Sequence, residues 1–409
     1  MKKVFQVTLG ILTAIGGFVD IGDLVANAEV GARFRLGLAW VVVVGVIGIV
    51  VYAEMAGRVA AVSGRPVFSL VRERMGPGAG LANLLGSFFI NFLTLTAELA
   101  GVAIALSLVA SVHYLLLVPV TAFLVWITIW RLPFETMERI FGLAGLALVA
   151  FIVAVARLGP DWGHLLSQAT HPSLSDQETP FTYAYFAIAL FGAAMTPYEV
   201  FFFSSGAVEE HWTDSDLRLN RANVYIGFPL GGVLSLSLMV LATLVFAPRS
   251  IGVETLPQVA LPVAAATGKL GLAFIILGIF AATFGAALET AMSAGYCVAQ
   301  YLGWQWGKYV RPRDAPRFHL VMLLSIVAGA LVIMTGVDPV KVTEYSIVLS
   351  AAALPLTYFP ILVIANDRAY MGDDVNGRVL NFIATIYLVI ILVIAVATIP
   401  LMIITRGGA

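Results

Sequence analysis

The chain has 409 residues, of which 60% are hydrophobic and 11% charged, with a formal net charge of −1 and a mean hydropathy of +0.96. A soluble domain cannot hide that much apolar surface behind an exterior that faces water, and the near-neutral charge argues against a nucleic-acid partner. Its one cysteine, Cys297, excludes an internal disulfide and fits neither a zinc site nor a redox pair, so it reads as a buried apolar residue.

A bilayer removes the constraint on apolar surface. A spanning helix needs about 20 mostly apolar residues, and the apolar runs predict eleven spans: 5–32, 36–60, 80–110, 114–131, 139–157, 182–206, 222–247, 270–302, 318–337, 342–365 and 379–404. The start, Met1-Lys2-Lys3 before an apolar run, reads as a mature first span. A secretory signal would need a small-residue cleavage pattern, which is missing, and Asp20 and Asp23 interrupt the run. The longest loops are 158–181 and 207–221, and no soluble domain is expected. With the N-terminus in the cytoplasm, only Arg33, Arg35, Arg157, Arg249, Lys269, Lys341 and Arg406 of the 23 Lys and Arg fall outside. The bias of basic residues towards the other side supports an inside N-terminus, an outside C-terminus and an odd number of spans.

The acids within the spans include Asp20, Asp23, Glu29, Glu54, Glu98, Glu199 and Glu289. No Lys or Arg sits in the middle of any span. Each ionisable group at bilayer depth costs at least about 2.5 kcal/mol. An excess of one sign, in a low-dielectric interior, either takes up protons or awaits cations. Glu29 precedes Arg33 by four residues and Glu54 precedes Arg58 by four, spacings that permit helical ion pairs. Glu289, within GAALETAMSAG, is equally readable as a hydrogen bonder between helices. Asp20, Asp23, Glu98 and Glu199 have no basic neighbour in sequence and point to function.

Spans one and six are both interrupted. Span one reads GGFVDIGDLVAN (16–27), with Gly16, Gly17 and Gly22. Span six reads FGAAMTPYEVFF (191–202), with Gly192 and Pro197. Proline removes a backbone donor and clashes with the preceding turn, and a break at membrane depth persists where its freed backbone lines a site. Matching breaks five spans apart are the mark of an inverted repeat. The expected organisation is a first repeat at 1–157 (spans one to five), an extracellular loop at 158–181, a second repeat at 182–365 (spans six to ten) and an accessory eleventh span in 366–409.

The breaks collect oxygen. Asp20 and Asp23, three residues apart, can reach a common point, and unwinding frees carbonyls such as that of Gly17. Around Thr196 the Ala193 carbonyl and the Thr196 hydroxyl become available. Mg²⁺, Mn²⁺ and Ca²⁺ are hard ions that prefer oxygen, and Mg²⁺ keeps several waters. Met195 is one position off the set. Phe201, Phe202 and Phe203 read as packing.

These residues resemble the NRAMP family of divalent-metal transporters. The family's first span carries Asp-Pro-Gly-Asn, and here Asp20-Ile21-Gly22-Asp23 stands there, followed by LVANAEVGARF. GRVAAVSGRPVFSLVRERMG (57–76), read as the end of span two, and AELAGVAIAL (97–106), in span three, are similar too. The family's Met-Pro-His in span six aligns with Thr196-Pro197-Tyr198. The resemblance covers spans one to ten. It implies a LeuT-type 5+5 inverted repeat of about eleven transmembrane helices, alternating access and metal uptake towards the cytoplasm. Several family positions are changed. Asp23 replaces an Asn and adds a charge. Thr196 replaces a soft Met ligand, and Tyr198 replaces a His implicated in proton release. The span-three acid at Glu98 is kept, whereas an Asp, a Glu and a span-ten Gln of the family fall at Leu95, Phe88 and Ala353. The set resembles the NRAMP-related branch that carries magnesium with weak or absent proton coupling.

The reading is therefore a transporter of hard divalent cations, Mg²⁺ or Mn²⁺. Asp20, Asp23, Gly17, Ala193 and Thr196 hold the metal, while Glu98, Glu199 and Tyr198 act as proton or supporting groups. The partners are the divalent ion, as cargo rather than cofactor, and the lipid bilayer. A monomer in a prokaryotic inner membrane is expected. Two other readings keep the fold: a transporter of an organic cation or amino acid, and a membrane sensor that binds metal without moving it. No nucleotide-binding loop, metal-hydrolase motif or nucleophile elbow points to an enzyme.

Overall fold

Apolar runs with few breakers fold as helices in lipid, because only there does each segment satisfy its own backbone polar groups. A computed structural model of the chain describes residues 18–132, 134–171 and 178–408, except for the side chains of 134, 135 and 138. Gly16, Gly17 and the first half of span one lie outside the described residues. No strand occurs among those described.

Among the described residues, ten helical stretches are long and apolar enough to cross a membrane. They match the predicted spans two to eleven. Span two is α2 (Ala39–Ser63) and span three is α4 (Pro77–Ala110), with the short α3 (Val67–Met75) between them. Span four is α5 (Tyr114–Arg131). Span five is α6 (Phe134–Gly145) and α7 (Ala150–Leu158), joined by a 3₁₀ turn. Span six is α9 (Pro180–Ala194) and α10 (Pro197–Glu209), preceded by a short α8 (Trp162–Thr170). Spans seven to ten are α11 (Leu217–Val245), α12 (Leu261–Leu302), α13 (Pro316–Met334) and α14 (Pro339–Ala365). Span eleven is α16 (Arg378–Ile404), after a single turn, α15 (Arg368–Met371). Span one contributes α1 (Ile21–Phe34), the half beyond its break.

Three expectations need correction. Residues 57–76 are not the plain end of span two: Gly64 closes α2 at φ 64°, a left-handed conformation open to glycine at little cost, and α3 follows as a separate helix. The 158–181 loop contains α8, whose first turn is capped by the Asp161 carboxylate, which accepts from Gly163 N at 2.9 Å and His164 N at 3.2 Å. Span eight starts earlier than 270, because 261–267 is apolar enough to extend it across a kink at Gly268, φ 71°.

The spans that carry the breaks are the buried ones. In span six 89% of the apolar window is inside the protein, against 17% for spans four and eleven. Around the breaks lie α2, α4, α11, α12 and α14. Both expected ion pairs form: Arg33–Glu29 at 3.4 Å and Arg58–Glu54 at 3.3 Å. The second belongs to a clasp at the end of the bundle where α2 and α14 finish. There Arg58 also donates to the Asp374 carbonyl and Asn376 Oδ1, and Asn220 Nδ2 donates to the Glu54 carbonyl at 3.0 Å. In the same corner the Ala369 N–H, then Arg74, hold the half-buried Asp367 carboxyl below its ordinary range.

Candidate metal site

Phe18 is helical, Val19 and Asp20 are not, and α1 begins at Ile21. A helix start leaves its first N–H groups without partners, and here protein acids take them. Asp20 is the N-cap, and its Oδ1 accepts from Asp23 N at 2.8 Å. Glu98, reaching across from α4, accepts from Ile21 N at 3.0 Å. The other oxygen of Asp20 accepts from the Tyr198 hydroxyl at 3.3 Å. Asp23 is held from two sides. Asn27 Nδ2 donates to its Oδ1 at 2.8 Å and the Ser235 hydroxyl, on α11, donates to its Oδ2 at 2.6 Å. Asp20 thus leans on span six and Asp23 on span seven. Their carboxylates remain within electrostatic reach of one another.

The second break follows from Pro197. Helix α9 ends at Ala194, where Met195 N closes onto the Phe191 carbonyl at 3.0 Å. The Ala193 carbonyl would next accept from residue 197, which as proline has no N–H to give. That oxygen is freed by covalent structure. Thr196 is the N-cap of α10, but its hydroxyl makes no capping bond. Met195 turns away from the break: its sulfur lies 2.6 Å from where a Cβ on Gly48 would stand, with the Tyr387 ring beside it. A side chain at Gly48 would force the Met195 thioether or the Tyr387 ring to shift.

Helix α14 closes the two breaks together. A Cβ on Gly22 would meet Ile347 Cγ2 at 2.7 Å, and one on Gly192 would meet the Ile347 carbonyl at 2.6 Å and Ala351 Cβ at 3.0 Å. Gly192 therefore admits the backbone of α14 only as a glycine, and a side chain at Gly22 would displace that of Ile347. Thr94 and Ser346 hydroxyls, 2.9 Å apart, tie α14 to α4 beside this contact.

Asp20, Asp23, Ala193, Thr196, Glu98, Tyr198 and Glu199 are all at least nine-tenths buried. None of the five acids and hydroxyls Asp20, Asp23, Glu98, Glu199 and Thr196 has a Lys or Arg partner among the described residues. Gly17 lies outside the described residues. Glu199, at the third position of α10, has one carboxylate oxygen buried without a hydrogen-bond partner among the described residues, as has Glu98. Among the described residues no three His, Cys, Asp or Glu side chains gather as a metal cage, so the donors on offer are carboxylates in pairs, a hydroxyl and carbonyls. The phenylalanines pack: Phe201 on Phe68 at 5.0 Å, Phe202 on Tyr296 at 6.3 Å and Phe203 on Trp212 at 5.6 Å. Sequence reasoning did not single out Asn27, Ser235, Ile347 or Ala351. Ser235 had one signal, a hydroxyl within an apolar run, which it shares with Ser237.

The positive N-terminal ends of both half-helices are met by acids of the chain itself, while at the end of α9 the Ala193 carbonyl loses its helical donor to Pro197. Such an arrangement attracts a cation. A polytopic helical bundle with two interrupted helices meeting at buried acids defines the class: a membrane protein of the LeuT-type fold. The chain matches the family described as "Natural resistance-associated macrophage protein-like" over residues 10–400 and belongs to it. This family is one of metal-ion transporters, not of enzymes.

Relatives and solved structures agree in extent. The divalent metal cation transporter MntH of Aeromonas hydrophila is 24% identical over 403 residues, 95% of this chain and 94% of that one. Its counterpart from Deinococcus radiodurans is 24% identical over 390 residues, 92% and 85% of the two chains. A mutant of the Eremococcus coleocola manganese transporter superposes with a TM-score of 0.74 at 17% identity, covering 98% of this chain and 94% of that one. A nucleobase-cation-symport-1 family transporter in a closed conformation, with bromovinylhydantoin bound, gives 0.54 at 14% identity, covering 97% and 91%.

Proposed function

We propose that the chain transports a hard divalent metal cation, Mg²⁺ or Mn²⁺, across the membrane by alternating access, without obligatory proton coupling. The observation that carries the reading is the Asp20 carboxylate, buried at the break of span one and facing span six with no basic partner. Asp23 adds a second carboxylate, the freed Ala193 carbonyl a backbone oxygen, and Thr196 a hydroxyl that its own helix does not use. The relatives are named for divalent metal cations and for manganese. Hardness rests on Met195: with its thioether turned towards Gly48, the donors are oxygens, which suit Mg²⁺ and Mn²⁺ better than soft ions. Tyr198, where the family has an imidazole, does not exchange protons near neutral pH as histidine does, which favours uncoupled movement. The two repeats, 1–157 and 182–365, would rock about the breaks, with the N-terminus in the cytoplasm.

An amino-acid substrate is disfavoured by the same geometry. In LeuT-type carriers a substrate carboxylate sits on a half-helix N-terminus, but at α1 those N–H groups are already taken by Asp20 and Glu98.

The test is Mg²⁺ and Mn²⁺ influx into liposomes carrying the purified chain and an internal pH dye, for wild type and Asp20→Ala. Saturable flux lost in the variant, with a silent dye, is expected. Equal flux in both proteins would overturn the role of Asp20, and acidification in step with metal entry would overturn uncoupled transport.

A further inference from the structure

The stripe of α14 that meets the breaks continues beyond them. Ile347, Ala351, Leu354 and Tyr358 fall on one side of a helix, and all four are buried. Since Ile347 and Ala351 abut Gly22 and Gly192, Tyr358 lies about 10 Å further along the axis, seven residues at 1.5 Å each. Its ring meets Tyr52 edge-on at 4.7 Å. Its hydroxyl is fully buried and has no hydrogen-bond partner among the described residues.

A second seam reaches the same level. Helices α10 and α12 run side by side in the same direction: Phe202 packs on Tyr296, the Tyr296 hydroxyl donates to Glu209, and Gln300 Nε2 donates to Ser205 Oγ at 2.9 Å. Glu199 is one turn before Phe202. Ser293 and Glu289 are one and two turns before Tyr296 on the stripe that faces α10. Helical register therefore brings Glu199 opposite Ser293 and Glu289. Glu199 interacts electrostatically with Glu289, and Tyr358 with Glu199. Glu199 Oε2 and Ser293 Oγ, like the Tyr358 hydroxyl, are buried without hydrogen-bond partners among the described residues.

We propose that Glu199 and Glu289, with the Tyr358 hydroxyl, form a second station for a divalent cation, a turn or two from the breaks on the path leading away from Asp20. Carboxylates that face one another across a seam in a low-dielectric interior repel when ionised, and a cation between them would relieve that repulsion. The donors are hard oxygens, and the remaining coordination would be water, as Mg²⁺ and Mn²⁺ tolerate. A second stop also has a kinetic use: a dication held only at Asp20 would leave slowly, and a nearby alternative site lowers the step out. The station deepens the transport reading and rests on it for its place on a path, but its occupancy is measured separately.

The experiment is equilibrium binding of Mn²⁺ to the full-length chain in detergent, read by electron paramagnetic resonance of the free ion. Elution as a single folded species is the entry condition for each variant, and Glu199→Gln and Glu289→Gln are independent routes to one result. Two ions on wild type are expected, one on Asp20→Asn, one on either Gln variant, and none on Asp20→Asn/Glu199→Gln. A single wild-type ion that Asp20→Asn abolishes would overturn the second station and leave the transport reading intact. A single ion kept by Asp20→Asn but lost in both Gln variants would support the station and remove Asp20 as a ligand. Two ions surviving in both Gln variants, or none on wild type, would overturn the station.

Discussion

Ser235 offers a way to perturb Asp23 without removing its charge. Its hydroxyl lies 2.6 Å from Asp23 Oδ2 and 3.2 Å from the Gly231 carbonyl, and its single proton goes to the nearer and charged acceptor. A hydrogen bond to a charged group contributes about 1.5–3 kcal/mol. The carboxylate must be ionised to hold a dication and need not be when the site is empty, so the loss in Ser235→Ala falls mainly on the ion-bound state. At about 1.4 kcal/mol per factor of ten, Mn²⁺ affinity should weaken roughly 10- to 150-fold. The assay is Mn²⁺ binding together with the KM for influx. Ser235→Thr, which keeps the hydroxyl, should restore most of the affinity. Ser237→Ala is the control, because that exposed side chain only returns to the Val233 carbonyl of its own helix. A Ser235→Ala protein that folds and binds Mn²⁺ within about threefold of wild type, a difference below 1 kcal/mol, would refute the placing of Asp23 at the ion.

Thr196→Met introduces a thioether facing the gap that Met195 does not supply, and should lower the Mg²⁺ to Mn²⁺ flux ratio by roughly tenfold, the effect of one ligand preference of about 1.4 kcal/mol; an unchanged ratio would place Thr196 outside the coordination sphere. Gly31→Ala drives a Cβ into the Met239 carbonyl and to 2.8 Å from Ala242 Cβ, across the seam between α1 and α11. It should cost about 1–3 kcal/mol by overpacking, seen as a lower melting temperature in detergent, whereas Gly145→Ala, with open space at its Cβ, should melt like wild type. Arg58→Ala leaves the buried Glu54 with only the more distant Arg221, at 3.7 Å, as a basic partner among the described residues. Breaking such a buried pair costs about 3–5 kcal/mol, and faster protease cleavage within 366–377 would report the opened clasp; an unaltered digest would mean that the clasp does not hold that loop.

Much of the architecture was written locally. Ten of the eleven spans were readable because apolar length is a property of consecutive residues, and the break of span six because Pro197 acts on its own backbone, whereas Gly22 and Gly192 lie inside α1 and α9. The freed Ala193 carbonyl is covalent arithmetic, four residues before a proline. The helical pairs Glu29–Arg33 and Glu54–Arg58 were legible for the same reason, since helix geometry alone makes the two side chains neighbours. Less was visible where polarity is weak. Helices α3 and α8 were missed because nine-residue segments carry little periodic signal, and the start of span eight was misplaced because Gly268 reads as a terminator but acts as a kink.

The sequence by itself determined that this is a helical membrane protein, that two helices break at depth, and that acids of one sign sit at the breaks. The tertiary structure decided what those acids touch. That Asp23 leans on Ser235 and Asp20 on Tyr198, that Glu98 covers the start of α1, that Met195 turns to Gly48, and that one stripe of α14 runs from the breaks to Tyr358 all depend on how each helix is rotated about its axis. Spans that are apolar all round carry no amphipathic stripe to set that rotation in advance. It is set by glycines and side-chain shapes meeting across helices tens to hundreds of residues apart, and it decides which oxygens face one another.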